Sequence, residues 1–242
     1  LHMFSISNAL PNAQRALDLA LKFNKYSKTN GYHGFIDGYQ SYNTILKSIK
    51  YFIRLLFIAP RLIYLKDYFY ANASSACLWP FLKNDWKSSI IGEVAIQNCL
   101  YASLFDSAFE KLPKQKLGMF LYENQNWESA LIQAWRKHGH GKLIAVPHAT
   151  IRYWDLMYFR EYYNENSNKL KMQSPDIIAI NGLFSRDTLS NAVRNPGNLI
   201  EVEALRYLYL TKVKTKKSLE SKDSNKIRML ILGDLKHEKT SD

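Results

Sequence analysis

The chain has little cysteine and no recognisable cysteine pattern. Cys77 and Cys99 are the two cysteines among 242 residues, and neither lies in a CxxC or Cys/His spacing. The sequence therefore predicts neither a disulfide framework nor a zinc site, and it fits a reducing, cytoplasmic compartment. It also lacks GxGxxG and Walker-type phosphate loops, which disfavours nucleotide hydrolysis and dinucleotide redox chemistry.

Long hydrophobic runs are missing as well. The apolar stretch from Tyr51 to Ala59 is interrupted by Arg54 and falls far short of the ~20 residues that a membrane-spanning helix needs. The N-terminal string LHMFSISNALPNAQ has neither the basic start nor the continuous apolar centre of a secretory signal peptide. We therefore expect a cytoplasmic protein with no membrane-crossing segment.

Acidic residues are scarce in two segments, and the net charge of +12 is concentrated there. Ser41 to Lys66 holds five Lys or Arg and no acid, and Arg206 to Arg228 holds eight against two acids. The first segment has a helical apolar pattern up to Tyr70, so it either packs on the protein's own core or makes peripheral contact with an anionic membrane. Nucleic-acid binding is disfavoured, because the charge lies in one helix and one linker without a recognition motif.

Short apolar runs alternate with helical patterns along the middle of the chain. This alternation predicts an α/β fold, a Rossmann-like parallel sheet with helices on both faces. The predicted strands are Leu117 to Tyr122, expected to be buried on both faces, and Leu143 to Val146, Asp176 to Ile180 and Ile200 to Ala204. The intervening helices include one near Ser185 to Val193, and a single helix from Trp86 to Leu112, capped by Asn84 or Asp85, precedes the first strand.

The same reading divides the chain into four parts. Residues 1–84 are expected to form a helical region, 85–210 the Rossmann-like domain and 211–225 a basic linker. Residues 226–242 begin with the strand-like string KIRMLILGD, which resembles the first strand of a second Rossmann-like domain. The sequence thus predicts the N-terminal half of a two-domain protein with a stub of the other half.

Polar residues follow the first two predicted strands directly. Glu123 and Asn124 come after the first strand, and His148 and Thr150 come after the second. Ligands of open parallel sheets bind outside the carboxyl ends of the strands, so these residues mark the candidate site. Glu123 is a candidate catalytic residue or a cap for the next helix, and His148 is a candidate catalytic residue or a structural side chain.

Further candidates for substrate binding lie near the same edge of the predicted sheet. Arg152 and Asp155 sit among aromatic residues that could stack on a sugar or belong to the core. Other candidates follow the third and fourth predicted strands. His138 and His140 are flanked by glycines at the opposite end, where a helix C-cap turn is a better interpretation than a metal site. No metal ligand set is predicted. The substrate-binding candidates beyond Asn124 and Thr150 are Arg152, Asp155, Asn181, Glu203, Arg206 and Tyr207.

Three strings carry a resemblance to a known family. YENQNWESALIQAWRKHGHGKLIAVPHATIRYWDLMYF, PDIIAINGLFSRDTL and IEVEALRYLYL resemble bacterial surface carbohydrate biosynthesis proteins, over roughly Asp85 to Leu210. Members of that family resemble GT-B glycosyltransferases, in which two Rossmann-like domains face each other across a cleft. The resemblance implies sugar transfer during assembly of a surface polysaccharide, and it assigns no role to any residue.

These expectations combine into one primary function and two alternatives. The primary one is the acceptor-side domain of a GT-B-like glycosyltransferase, with a nucleotide sugar as donor substrate, a glycan or lipid-linked acceptor and no cofactor. Because the donor side belongs to the second domain, this chain alone is expected to be inactive. The alternatives are a sugar-nucleotide epimerase-like enzyme and a non-catalytic carbohydrate- or partner-binding domain. The cytoplasm, or the inner face of the cytoplasmic membrane, is the expected location.

Overall fold

The computed structural model describes residues 1–3, 12–26, 31–63, 77–147, 149, 151, 158, 174–190, 198–202 and 209. The chain forms two compact units, Leu1–Glu203 and Ala204–Asp242. All the helices and strands described below belong to the first unit. No described helix is long and apolar enough to cross a membrane.

Four α-helices of the described residues precede the sheet. Ser41 caps the second of them, because its side-chain oxygen accepts a hydrogen bond from the Thr44 N–H at 3.2 Å. A short 3-10 helix, Ile36–Tyr39, leads into that cap. The four helices are α1 (Ala13–Tyr26), α2 (Tyr42–Leu62), α3 (Trp79–Ile91) and α4 (Glu93–Lys111).

The prediction of a single helix from Trp86 to Leu112 is wrong. The structure has two helices that break at Gly92, and Asn84 and Asp85 lie inside the first helix instead of capping it. Gly92 permits a tight break, since a Cβ there would lie 2.8 Å from the Ser88 backbone. Helix α3 begins with proline in its first turn, a position where the missing N–H costs nothing.

The predicted parallel sheet is confirmed. Its four strands are all parallel and lie in chain order, β1-β2-β3-β4. Helix α5 (Glu128–Lys137) connects β1 to β2, and helix α6 (Leu183–Ser190) lies between β3 and β4. The strands are β1 (Leu117–Tyr122), β2 (Lys142–Pro147), β3 (Ile177–Ile180) and β4 (Leu199–Glu201). The described part of the chain is therefore an α/β, Rossmann-like structure.

One face of the sheet carries the hydrophobic core. Gly118, Phe120 and Tyr122 of β1 share this face, and the Trp135 ring of α5 lies so close to Gly118 that a Cβ there would be 2.6 Å from it. Burying this apolar surface against the helices is the main favourable term for the fold. The core cluster draws residues from α4, α5, α6 and the strands, including Leu104, Phe105, Phe109, Ile132, Trp135, Leu143, Ala145, Ile180 and Leu189.

The other face of β1 is largely exposed. Leu117, Met119 and Leu121 are 52%, 66% and 55% exposed. The expectation that β1 is buried on both faces is therefore wrong. An apolar run indicates a strand, but it does not show which face another element covers.

The two cysteines differ in environment. Cys99 is buried in α4, and Cys77 is partly buried just before α3; both are free thiols. Burial raises the pKa of the Cys99 thiol. A raised pKa keeps the thiol protonated and therefore poorly nucleophilic.

Candidate functional site

The carboxyl ends of the strands meet at one edge of the sheet. Tyr122 pairs with Pro147 at the ends of β1 and β2, and Ile180 pairs with Glu201 at the ends of β3 and β4. Neighbouring strands stand ~4.8 Å apart, so the last residues of the four strands form one row. This row is the candidate site that the sequence predicts.

Glu123 and Asn124 open the row after β1, and both side chains are exposed. Asn124 has a φ of 62°, a left-handed conformation that asparagine tolerates better than most residues. The chain therefore turns sharply between β1 and α5. Glu123 stands at the carboxyl end of the strand, as predicted.

Glu128 holds this turn from inside the protein. Its Oε1 accepts a hydrogen bond from the Glu123 N–H at 2.6 Å, and the residue is 4% exposed. It lies in the first turn of α5, where the helix dipole favours a carboxylate. The sequence suggested Glu123 as a possible helix cap. In the structure, it is the Glu128 side chain that makes a capping contact in this turn. An acidic residue just inside a helix that follows a strand is the signal that could have revealed it.

Aromatic packing fixes the same turn. The Trp127 ring contacts Phe105 of α4 and Phe120 of β1 at centroid distances of 6.1 Å and 6.3 Å. The Tyr158 hydroxyl donates a hydrogen bond to the Tyr122 carbonyl oxygen at 3.2 Å, and the two rings meet edge to face. The backbone that presents Glu123 is thus held from both sides.

Asn181 lies at the end of β3, with Gly182 following at a φ of 110°. The Asn181 Oδ1 atom is buried and accepts no hydrogen bond from the described part of the chain. Buried acceptors are nearly always paired, so an unpaired one merits an explanation such as a ligand or an ordered water. Asn181 is one of the predicted binding residues, and its amide oxygen is free to accept a donor.

Two polar contacts near Asn181 were not predicted. The Ser185 hydroxyl, fully buried in α6, accepts a hydrogen bond from the Ile151 N–H at 3.2 Å. On the surface, Arg186 donates to Glu201 at 2.8 Å, and this hydrogen bond is the main reason that the Arg186 pKa is raised. Both contacts join segments distant in sequence, which is why local patterns gave no signal for them.

The remaining predicted site residues lie outside the described part of the chain. The convergence of Glu123 and His148 on one pocket therefore stays a prediction. The described register ends at the pair of Tyr122 and Pro147. The residues concerned are His148, Thr150, Arg152, Asp155, Glu203, Arg206 and Tyr207.

His138 and His140 lie at the other end of the sheet, before β2, as predicted. His138 is the C-cap of α5, Gly139 has a φ of 66°, and the His140 N–H donates to the Trp135 carbonyl oxygen at 3.2 Å. The predicted C-cap turn is confirmed. The His140 ring is also a core element, because it stacks on Trp135 at 4.6 Å and hydrogen-bonds the Phe109 carbonyl oxygen.

A buried carboxylate, Asp106 of α4, gathers three cationic or hydrogen-bonding partners at that same end. Lys137 and His138 contact it at 2.6 Å and 2.7 Å, and Lys47 of α2 contacts it as well. Burial, and then the neighbouring Lys137 charge, lower the pKa of both His138 and Lys47. The cluster ties α2, α4 and α5 together as a structural element.

The described candidate site offers oxygen acceptors and no metal cage. An exposed carboxylate at Glu123 can accept a proton or a hydroxyl hydrogen bond, and the Asn181 amide oxygen can accept another. Within the described ranges, no group of three or more His, Cys, Asp or Glu side chains is arranged to hold a metal ion. The chemistry that these two groups can support is the binding and deprotonation of hydroxyl groups.

Fold and site together define an α/β protein with a parallel sheet and a polar carboxyl-end edge. The chain matches no protein-family model, no curated protein and no solved structure.

Proposed function

We propose that this chain is the acceptor-side domain of a GT-B-like glycosyltransferase that acts in surface polysaccharide assembly. One observation carries the proposal furthest: Glu123 is an exposed carboxylate at the carboxyl end of a parallel strand, on a backbone turn fixed by Glu128. This is the position where open parallel sheets place ligand-binding groups. The family resemblance of the surrounding sequence supports the same conclusion.

In this proposal, Glu123 accepts the proton of the acceptor hydroxyl, and Asn181 helps to orient the sugar. Asn181 ends the strand two places from β1, so about 10 Å of backbone separation leaves room for a sugar between them. The Asn181 oxygen, which has no partner among the described residues, is the proposed acceptor for a sugar hydroxyl. His148 is the second proposed catalytic residue, and the donor is a nucleotide sugar that a second Rossmann-like domain binds.

The proposed location is the cytoplasm, at the inner face of the cytoplasmic membrane. A lipid-linked acceptor would be presented there, next to the cytoplasmic supply of nucleotide sugar. The proposal needs no cofactor.

The test measures sugar transfer by a protein that carries this chain together with a complete second Rossmann-like domain. Glu123→Gln should lower turnover about 100-fold, the range expected when a general base is lost, and His148→Ala should do the same. Glu110→Gln is the matched control, because Glu110 is an exposed glutamate at the far end of α4. Its activity should stay unchanged, with folding of each variant checked by circular dichroism.

Four results would contradict the proposal. Full turnover in both site variants would show that Glu123 and His148 are not catalytic. Robust transfer by the 242-residue chain alone would show that the donor site was wrongly assigned to a second domain. Glycan binding without transfer in any form would favour the carbohydrate-binding alternative. Conversion of a nucleotide sugar without an acceptor would favour the epimerase alternative.

A further inference from the structure

Near its start, helix α2 packs against the protein with polar residues, and further along the same side it does so with the partly buried Tyr51, Phe52 and Leu55. Thr44 and Ser48 are its buried residues, and the Thr44 hydroxyl donates to the Tyr39 carbonyl oxygen at 3.3 Å. On the same side, Lys47 contacts the buried Asp106 of α4. The start of α2 thus differs from an ordinary amphipathic helix, which turns its apolar face to the core.

The apolar side of α2 faces outward. Successive residues turn by about 100° around a helix, so six of the exposed apolar residues fall within roughly a third of its circumference, while Ile58, 38% exposed, lies outside that sector. They form a stripe along the whole helix, and the Phe57 side chain is 78% exposed. The apolar stripe consists of Ile45, Leu46, Ile49, Ile53, Leu56 and Phe57.

A row of bases borders this apolar stripe on one side. Lys50, Arg54 and Arg61 are exposed and fall on adjacent angular positions next to Phe57. Helix α2 contains no Asp or Glu. Long basic side chains beside an apolar stripe can reach toward phosphate groups while the apolar residues enter a lipid interface.

We propose that the apolar stripe and its basic row bind the surface of an anionic membrane. Charge complementarity decides the occupant, because the surface presents positive charge without a single acid. A symmetric dimer through this face would bring two sets of like charges together. None of the described helices, α2 included, qualifies as a membrane span. This inference does not depend on the proposed sugar transfer, and each can fail without the other.

The test measures co-sedimentation of the protein with vesicles of phosphatidylcholine alone or with 30% phosphatidylglycerol, a fraction chosen to give about −30 mV or more of surface potential. We expect binding to the anionic vesicles that weakens at high salt, and little binding to the neutral ones. The triple variant Lys50→Gln, Arg54→Gln, Arg61→Gln should lower the partition coefficient on the order of 100-fold, from roughly five-fold for each base.

A matched control removes the same charge elsewhere. Lys22→Gln, Lys83→Gln and Lys87→Gln replace three exposed lysines on α1 and α3, and this variant should bind like the unmodified protein. A second variant, Phe57→Ser, tests the apolar stripe itself. Its side chain is mostly in solvent, so it should fold normally and still lose about ten-fold or more in vesicle binding.

Several outcomes would overturn the inference. These are absence of binding to anionic vesicles, equal binding to neutral and anionic vesicles, or an equal loss in the control triple variant. Sedimentation equilibrium that shows a dimer, abolished by Phe57→Ser, would instead assign the apolar stripe to a second copy of the chain.

Discussion

Removing the Glu128 carboxylate should destabilise the protein by about 2 kcal/mol, because Glu128→Ala leaves the Glu123 N–H without its acceptor. An unsatisfied buried donor costs about 1–3 kcal/mol, and loss of a carboxylate from a helix first turn costs about 0.3–1 kcal/mol more. Glu123 is exposed, so water can replace part of the lost hydrogen bond. The total cost in unfolding free energy should therefore lie in the lower half of the range obtained by adding these two contributions. Glu128→Gln retains an oxygen acceptor and should lose less than half as much.

The assay is urea unfolding followed by circular dichroism, with Glu93→Ala as the matched control. Glu93 also lies in the first turn of a helix, α4, but it is exposed, so its loss should cost less than about 1 kcal/mol. Hydrogen exchange gives a second readout, since a weakening of about 1.4 kcal/mol at the turn speeds exchange of the Glu123 amide about ten-fold. Equal destabilisation by Glu128→Ala and Glu93→Ala, with unchanged exchange at Glu123, would refute the reasoning.

Two further predictions concern the amino-terminal end of the sheet. Gly141→Ala should cost about 1–3 kcal/mol or more in urea unfolding, because the added methyl group would collide with the Lys116 carbonyl oxygen, whereas Gly38→Ala meets no neighbour and should be nearly neutral. Similar stabilities for the two variants would show that the β1–β2 connection is looser than described. The pKa of His138 lies below its usual value of 6.5, so the unfolded chain binds a proton before the folded chain does, and stability should fall as the pH drops through that value. His138→Gln should flatten this part of the stability profile, and an unchanged slope would contradict the assignment.

The strands were predictable because their apolar runs are short and have clear ends. Leu117 to Tyr122 matches β1 at both ends, and Glu123 is where the pattern placed it. The exposure of Leu117, Met119 and Leu121 was not predictable, since apolar content does not report what covers a face.

Contacts between distant segments were beyond the reach of the sequence. Asp106 meets Lys47 and Lys137 only after α2, α4 and α5 have packed together, and no spacing along the chain announces this cluster. The break at Gly92 was missed for a local reason: apolar residues continue at helical spacing on both sides of it, so the periodicity conceals the interruption.

Because Cys99 is buried, the rate at which its thiol is labelled reports local opening of the protein. Helix α4 joins the N-terminal helices to the sheet domain, and its thiol is both shielded and held in the unreactive protonated form. A thiol reagent can reach Cys99 only when α4 separates from its neighbours, whereas Cys77 is partly accessible in the folded state. The slow phase of labelling therefore records how often α4 separates from the helices packed on it, and a ligand or membrane that holds these helices together should lengthen it.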